Sequence, residues 1–170
     1  MSLFTEKAPI SHDDLVRLLD YEPNTGLFRW KTKISRKAVV GELAGCHRAD
    51  GYVVIKLNGT RYRAHRLAWL YMTGQWPTEF VDHRDGDRSN NRWANLRLAN
   101  RSENMWNMVG HSDSRTGLKG VTRDDRRWIA QIAANGSSHW LGSFKTAADA
   151  QSAYAAAAIR YHRDFARVSP

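Results

Sequence analysis

Cysteine is almost absent from this chain, and so are long apolar segments. The 170 residues include one cysteine, Cys46, which excludes an intrachain disulfide and a thiolate zinc site. No apolar run approaches the roughly 20 residues that a membrane-spanning helix needs. Residues 1–14 also lack the basic start and apolar core of a signal peptide. We therefore expect a soluble protein of the cytoplasm that is not secreted.

Acidic residues are scarce relative to basic ones. Asp and Glu total 17 against 26 Lys and Arg, which gives a formal net charge of +9 and a pI of about 10.0. A charge of this size predicts a polyanionic partner. Nucleic acid is the first candidate and an anionic membrane surface the second. The length is compatible with one domain or two small ones.

The segment FVDHRDGDRSNNRWANLRLANRSENMWN, residues 80–107, contains the residues best suited to chemistry. Its first four residues form a short strand-like run that includes Asp82 and His83. Asp85-Gly86 is a strong signal for a chain reversal. Residues 96–98 then alternate like a returning strand, so two strands and an intervening polar loop are predicted.

A helix is predicted directly after this second strand. Asn100 and Glu103 have the spacing of a capping box, which starts a helix over about residues 101–108. Asn104 falls in its first full turn and offers an amide oxygen, while Asp82 offers a carboxylate oxygen. These donors suit Mg²⁺ or another hard divalent ion. Asn107, one turn further on, is an alternative ligand if the register differs.

His83 lies next to the predicted metal ligand Asp82. A neutral imidazole titrates near physiological pH, so it can take a proton from a water that attacks phosphorus. The metal ion would polarise the phosphate and stabilise the leaving oxygen. The three residues together predict hydrolysis of a phosphate ester.

In order and spacing, DH, then GDRSNNRWANLR, then a helical Asn resemble the HNH endonucleases in the Asp-His-Asn form of phage and homing enzymes. The resemblance extends upstream through YRAHRLAWLYMTGQWP. It implies a ββα-metal (His-Me finger) module with its core at about 78–108. It also implies that the cleaved DNA has 5′-phosphate and 3′-hydroxyl ends. It also implies a phage or mobile-element source, so the cytoplasm would be that of the host cell.

The same resemblance implies a role for four residues of this chain. Asp82 and Asn104 would bind one divalent metal ion, with Mg²⁺ first and Mn²⁺ or a similar ion able to substitute. His83 would be the general base. Asn95 would be the structural asparagine that ties the loop and orients the histidine.

Residues upstream of this module predict further elements. Ser11 and the apolar stripe after it predict a helix over about 12–20. Asn58-Gly59 predicts a tight turn between two strands, and a helix follows over about 65–73. On that helix, His65 and Arg66 are expected to pack or to contact phosphate.

Residues 117–170 carry a second pattern, which follows a polar stretch. We place the nuclease module at 1–110, a linker at 111–116 and a second domain at 117–170. Two or three strands followed by an alanine-rich helix from Thr146 are predicted. Along the central strand, alternation sends Trp128, Ala130 and Ile132 towards the helix. The overall expectation is an α+β fold, a ββα-metal module followed by a small three-stranded antiparallel sheet packed on one helix.

The motifs KGV, WIAQI, WLGSF and AYAAAA of this segment resemble the APETALA-two or ethylene-response-factor DNA-binding domain. The resemblance implies that the free face of the sheet enters the DNA major groove. Plant members often have arginine where this chain has Thr122, Ala133 and Ser138, so base preference is not transferred. Seven positions fall on the family's DNA contacts or in the nearby turn: Lys119, Thr122, Arg123, Arg126, Arg127, Gln131 and Trp140.

The two resemblances together predict a metal-dependent endonuclease that cuts double-stranded DNA and is targeted by its C-terminal domain. A DNA-binding regulator with an inactive HNH-like module is the alternative. An RNA-directed nuclease or binder is a third reading, although the A-form major groove is too narrow for side-chain readout. We expect no membrane or protein partner, and a monomer or weak dimer.

Overall fold

A computed structural model describes residues 9–36, 38–107, 116–134 and 136–166. The chain divides into two compact units, Met1–Leu98 and Ala99–Pro170. The predicted linker at 111–116 lies outside the described residues except for Thr116, so a boundary there stays a prediction. The predicted mixture of helices with small antiparallel sheets is confirmed in both units. Within the described residues, no helix has the length and apolar character needed to cross a membrane.

Among its described residues, the first unit contains two α-helices and three small sheets. The sheets are β1 with β2, the three strands β3-β4-β5, and β6 with β7; Leu43 adds an isolated bridge to Arg29. The elements are α1 (His12–Leu18), β1 (Leu19–Glu22), β2 (Leu27–Trp30), β3 (Cys46–His47), β4 (Val53–Leu57), β5 (Thr60–Arg63), α2 (Ala64–Thr73), β6 (Phe80–His83) and β7 (Leu96–Ala99).

The first helix begins as predicted and ends earlier. The Ser11 side chain accepts a hydrogen bond from the Asp14 amide at 3.1 Å and caps α1. The predicted continuation to Asp20 is wrong, because Leu19–Glu22 pairs with Leu27–Trp30 in an antiparallel hairpin. Strand pairing is favoured over continuation of the helix because it buries Leu19 completely.

The hairpin of β4 and β5 and the following helix form as predicted. Asn58 and Gly59 both have positive φ, 49° and 87°, as a tight two-residue turn requires. Gly74 ends α2 in the left-handed conformation. The helix packs Leu67 and Leu70 into the core that it shares with the strands.

The second unit begins with the predicted helix and continues into a three-stranded sheet. The capping box is confirmed, since Glu103 N donates to Asn100 Oδ1 at 3.0 Å and Asn100 N donates to Glu103 Oε2 at 2.8 Å. The strands lie in the order β10-β9-β8, with both neighbouring pairs antiparallel. The elements are α3 (Arg101–Asn107), β8 (Val121–Asp124), β9 (Arg127–Ala134), β10 (Ser137–Phe144) and α4 (Ala147–His162).

One face of this sheet forms a core with α4. Ala130 and Ile132 are buried on β9, and Trp128 packs against the same cluster, so the predicted alternation is confirmed. Thr146 caps α4 by accepting from the Asp149 amide at 3.1 Å. The small alanines of α4 let Tyr154 approach the strands closely, and its side chain is buried.

Gly120, just before β8, lies where no side chain fits. A Cβ there would be 2.2 Å from the Tyr154 ring and 2.6 Å from the Gln131 carbonyl oxygen, at a φ of +67°. Gly117 has nearly the same φ, +65°, with nothing within 4 Å of its Cβ position. Comparing alanine substitutions at Gly120 and Gly117 therefore separates the cost of backbone strain from the cost of steric overlap.

We expect Gly120→Ala to destabilise the second unit far more than Gly117→Ala. Both changes force alanine into the left-handed region, at about 1–2 kcal/mol. Only Gly120→Ala adds overpacking against Tyr154, worth a further ~1–3 kcal/mol. Urea unfolding of both variants measures the difference, and equal losses of stability would show that the close packing at Gly120 is not required.

Candidate functional site

The strand β6 places Asp82 and His83 in the interior of the first unit. The two side chains are adjacent in sequence, and both residues are buried, with 8% and 3% of their surface exposed. Val81, before them, belongs to the hydrophobic core, which anchors the strand. Buried polar side chains require partners, and those partners define the site.

Asp82 is paired with Arg97 of the neighbouring strand β7. Arg97 donates from Nε at 2.9 Å and from Nη2 at 2.8 Å, both to Asp82 Oδ2. The arginine is also buried, with 6% of its surface exposed. This ion pair fixes the orientation of the carboxylate that the sequence predicts as a metal ligand.

His83 is held by Asn91, from the loop between the two strands. His83 Nε2 lies 3.2 Å from Asn91 Oδ1. Asn91 Nδ2 donates to the Ser89 carbonyl at 3.0 Å, so the amide oxygen is the atom that faces the imidazole. Nε2 therefore carries the proton, and the lone pair of the neutral ring is on Nδ1.

The electrostatic surroundings keep His83 neutral. Burial lowers the pKa of His83 below its ordinary value, although the hydrogen bond that His83 donates to Asn91 and the nearby carboxylates, Asp82 first, act in the opposite direction. Desolvation penalises the imidazolium more than these groups stabilise it. His83 can consequently accept a proton at neutral pH.

The hairpin β1–β2 supports the loop that carries Asn91. The Tyr21 hydroxyl donates to the Asn91 carbonyl at 2.6 Å, and Trp93 N donates to the Pro23 carbonyl at 3.0 Å. Gly26 lies so close that a Cβ would be 2.4 Å from Arg92 N. An N-terminal element some 70 positions away in sequence thus determines where the histidine's partner lies.

Asn95 ties the same loop from its other end. Its Oδ1 accepts from Asp85 N at 3.1 Å, and its Nδ2 donates to Asp85 Oδ1 at 2.9 Å and to the Asn90 carbonyl at 2.8 Å. The bond to Asn90 positions the residue before Asn91. Asn95 therefore acts on His83 indirectly, by positioning the loop that carries Asn91. Its catalytic importance stays a prediction.

Two further aromatic rings surround His83. The His65 ring contacts it edge-on at 4.9 Å between centroids, and the Tyr52 ring lies 6.1 Å away. Burial is the main cause that lowers the pKa of His65, to about 3. Among the described residues, no hydrogen-bond partner faces His65 Nδ1. His65 is thus a neutral packing partner of the candidate base.

Sequence reasoning missed Asn91, Arg97 and Tyr52. Asn91 is one of several adjacent polar residues in the loop, and no local signal distinguishes it. Arg97 lies between two leucines in an alternating strand, a pattern that predicts exposure. Its burial depends on the carboxylate across the sheet, which only the paired strands reveal.

Asn104 lies in the second unit, on α3. Its backbone N–H donates to the Asn100 carbonyl at 3.0 Å, and its side chain is half-buried. Asn107, the alternative ligand, is buried. In the ranges that the structure describes, no cluster of three or more His, Cys, Asp or Glu could hold a metal ion.

The face of the C-terminal sheet opposite the helix presents the three uncharged positions predicted to bind DNA. Gln131 and Trp140 are opposite each other on β9 and β10, and Thr122 is exposed on β8. Trp140 is 70% exposed, which is a high value for a tryptophan. The exposed ring is available to a ligand.

The four basic positions differ in their surroundings. Arg126 is exposed in the turn between β8 and β9. Arg127 donates to Ser143 Oγ at 3.1 Å and to its carbonyl at 2.9 Å. Arg123 lies over the Trp128 ring at 5.5 Å. Lys119 Nζ donates to the carbonyls of Met105 and Trp106 at the end of α3.

Residues 62–106 match the family model described as HNH endonuclease. This match supports the resemblance derived from the same stretch of sequence. Protein 3.8 of Escherichia phage T7 is 36% identical over 80 residues, which make up 45% of this chain and 66% of that protein. The chain thus spans just under two thirds of the length of this curated relative. The resemblance of the C-terminal segment to the APETALA-two domain stays a prediction.

A solved structure that concerns DNA binding and cleavage by the HNH homing endonuclease I-HmuI is also similar to this chain. It is 21% identical, covers 86% of each chain and has a TM-score of 0.43.

We expect Arg97→Met to destabilise the first unit by about 3–5 kcal/mol, because it leaves the Asp82 carboxylate buried without its cation. The double change Asp82→Asn with Arg97→Met removes both charges and should recover much of that loss. Urea unfolding of the wild type, both single variants and the double variant gives the coupling energy. Additive effects would show that the ion pair contributes nothing specific.

Proposed function

We propose that the chain is a divalent-metal-dependent endonuclease that hydrolyses phosphodiester bonds in duplex DNA. The observation that carries the proposal is a buried, neutral imidazole next to a buried carboxylate, within the segment that matches the HNH endonuclease family. The net charge of +9 suits a polyanionic substrate. A host-cell cytoplasmic location is proposed from the similarity to a phage protein.

His83 is the proposed general base. Its proton on Nε2 is committed to Asn91, so Nδ1 is the nitrogen that takes a proton from the attacking water. The Asn91 amide holds the ring in one tautomer throughout. A positioned general base of this kind contributes roughly 10²–10⁴-fold to a rate.

Asp82 and Asn104 are the proposed ligands of one divalent ion per chain. They provide a carboxylate and an amide oxygen, and Mg²⁺ is usually bound by one or two carboxylates together with waters and substrate phosphates. The donor set therefore fits Mg²⁺, with Mn²⁺ as a substitute. When bound, such an ion polarises the phosphate and stabilises the leaving oxygen. Arg97 fixes the carboxylate in advance.

The C-terminal sheet is the proposed grip on duplex DNA. Gln131 can read a base edge by paired hydrogen bonds, and the exposed Trp140 can pack on sugar or base. Arg126 and Arg127 can neutralise phosphates. Lys119 is also part of the proposed DNA contact, and its ammonium group donates to two carbonyls of α3.

A DNA-binding regulator with an inactive HNH-like module is the second candidate. The observation that favours it is the buried pair of Asp82 with Arg97, since an arginine can replace a metal ion as the permanent partner of a carboxylate. Cleavage separates the two candidates directly.

Supercoiled plasmid should be converted to open circles by the wild type with Mg²⁺ or Mn²⁺, and not with a chelator. His83→Ala should lower the rate by roughly 10²–10⁴-fold, because it removes the base, while DNA affinity stays unchanged. His47→Ala is the matched control, since His47 is an exposed histidine of the same unit. Tight DNA binding without conversion by any metal would favour the regulator.

The double change Gln131→Ala with Trp140→Ala should weaken DNA binding by at least about tenfold, because each contact is worth roughly 1–3 kcal/mol. Fluorescence anisotropy with a labelled duplex and a chelator measures binding without cleavage. Ile159→Ala removes exposed apolar surface from α4 instead and should bind like the wild type. Unchanged affinity in the double variant would exclude this sheet face as the grip.

A further inference from the structure

Tyr52, directly before β4, has two arginines over its ring. The guanidinium carbon of Arg63 lies 4.1 Å from the ring centroid, and that of Arg88 lies 5.0 Å away. Arg63 ends β5, and Arg88 belongs to the loop between β6 and β7. Two parts of the first unit therefore bring cations to one aromatic side chain, which is favourable for each because of the ring's negative face.

In the contacts described, no close carboxylate neutralises the charge of either arginine. Arg63 Nη2 is 3.9 Å from Asp50 Oδ2, and both side chains are 49% exposed, so this ion pair is weak. Arg88 Nη1 donates to the Asp50 carbonyl at 2.9 Å, an uncharged acceptor. The Asp50 carboxylate also accepts from the Tyr52 amide at 3.3 Å, which divides its hydrogen-bonding capacity.

The pair of cations lies next to the candidate base. The Tyr52 ring is 6.1 Å from the His83 ring and 5.2 Å from the His65 ring, which itself contacts His83. One aromatic ring thus separates Arg63 and Arg88 from the imidazole. An anion bound by the two guanidinium groups would be close to, and distinct from, the phosphate that His83 serves.

We propose that Arg63 and Arg88, held on Tyr52, form a binding site for a DNA backbone phosphate that flanks the cleaved one. The planar guanidinium presents N–H donors in its plane that match phosphate oxygens. Stacking on Tyr52 limits the rotamers of both side chains, so less freedom is lost on binding. The inference rests on the proposed nuclease function, because it locates the phosphate relative to the scissile bond.

The site is tested in two ways, by removing the two arginine charges and by removing the ring that holds them while the net charge stays the same. Binding of a labelled 30-bp duplex is measured by anisotropy over a range of salt concentrations, with a chelator present to prevent cleavage. The double change Arg63→Gln with Arg88→Gln should weaken binding about tenfold and reduce the salt slope by about 1, the value for one lost phosphate contact. Tyr52→Leu should weaken binding severalfold, although the net charge is unaltered.

Two controls make the result specific. Tyr52→Phe keeps the ring and should bind like the wild type. Arg61→Gln removes one charge from an exposed side chain of the same strand and should have a smaller effect than either Arg63→Gln or Arg88→Gln. If Arg61→Gln costs as much as these two, or Tyr52→Leu folds and binds normally, the arginines are general surface charge and the inference is overturned. If Tyr52→Leu does not fold, the exposed arginines carry the test.

Plasmid cleavage distinguishes this inference from the function on which it rests. A chain that cleaves normally, while the double arginine variant binds like the wild type, overturns the phosphate site and leaves the nuclease standing. A chain that never cleaves, but loses affinity in the arginine and Tyr52→Leu variants, overturns the nuclease and supports the site as a DNA contact. Weaker binding together with proportionally weaker cleavage supports both.

Discussion

The candidate site depends on the hydrogen bond between His83 and Asn91. That bond decides which nitrogen of the imidazole carries the proton, and so which one can act as a base. It exists because the loop between β6 and β7 is tied at both ends: Asn95 holds the Asp85 side, and Tyr21 holds the Asn91 backbone. The same loop brings Arg88 to Tyr52. One loop therefore orients the base and a cation together.

Local signals in the sequence predicted the elements around the site well. Two features, the turn at Asn58-Gly59 and the capping box of Asn100 with Glu103, depend only on residues within a few positions of one another. They can therefore be predicted from the sequence alone. The exposed face of β9 followed from alternation, because side chains in a strand point to opposite sides. The position of Trp140 opposite Gln131 depends on strand register, which alternation alone does not give, and the register shifts directly after Trp140.

The parts that sequence reasoning could not supply are contacts between distant residues. Leu19 continues a helical stripe, and only its strand partner Trp30 shows that the helix has already ended. Arg97 looks exposed until Asp82 is placed across the sheet. Lys119 also donates hydrogen bonds to two carbonyls of α3, a contact that its sequence position does not reveal, and its role in DNA binding stays a prediction. The metal-binding role of Asn104 stays a prediction.

The close approach of Gly26 to Arg92 has a consequence for dissecting the protein. The segment that matches the HNH endonuclease family begins at residue 62, yet the residues that hold the histidine's partner in place are Tyr21, Pro23 and Gly26. An excised fragment starting at residue 62 would keep the residues of the motif and lose the support of the loop. The smallest unit worth expressing alone must therefore include the N-terminal hairpin.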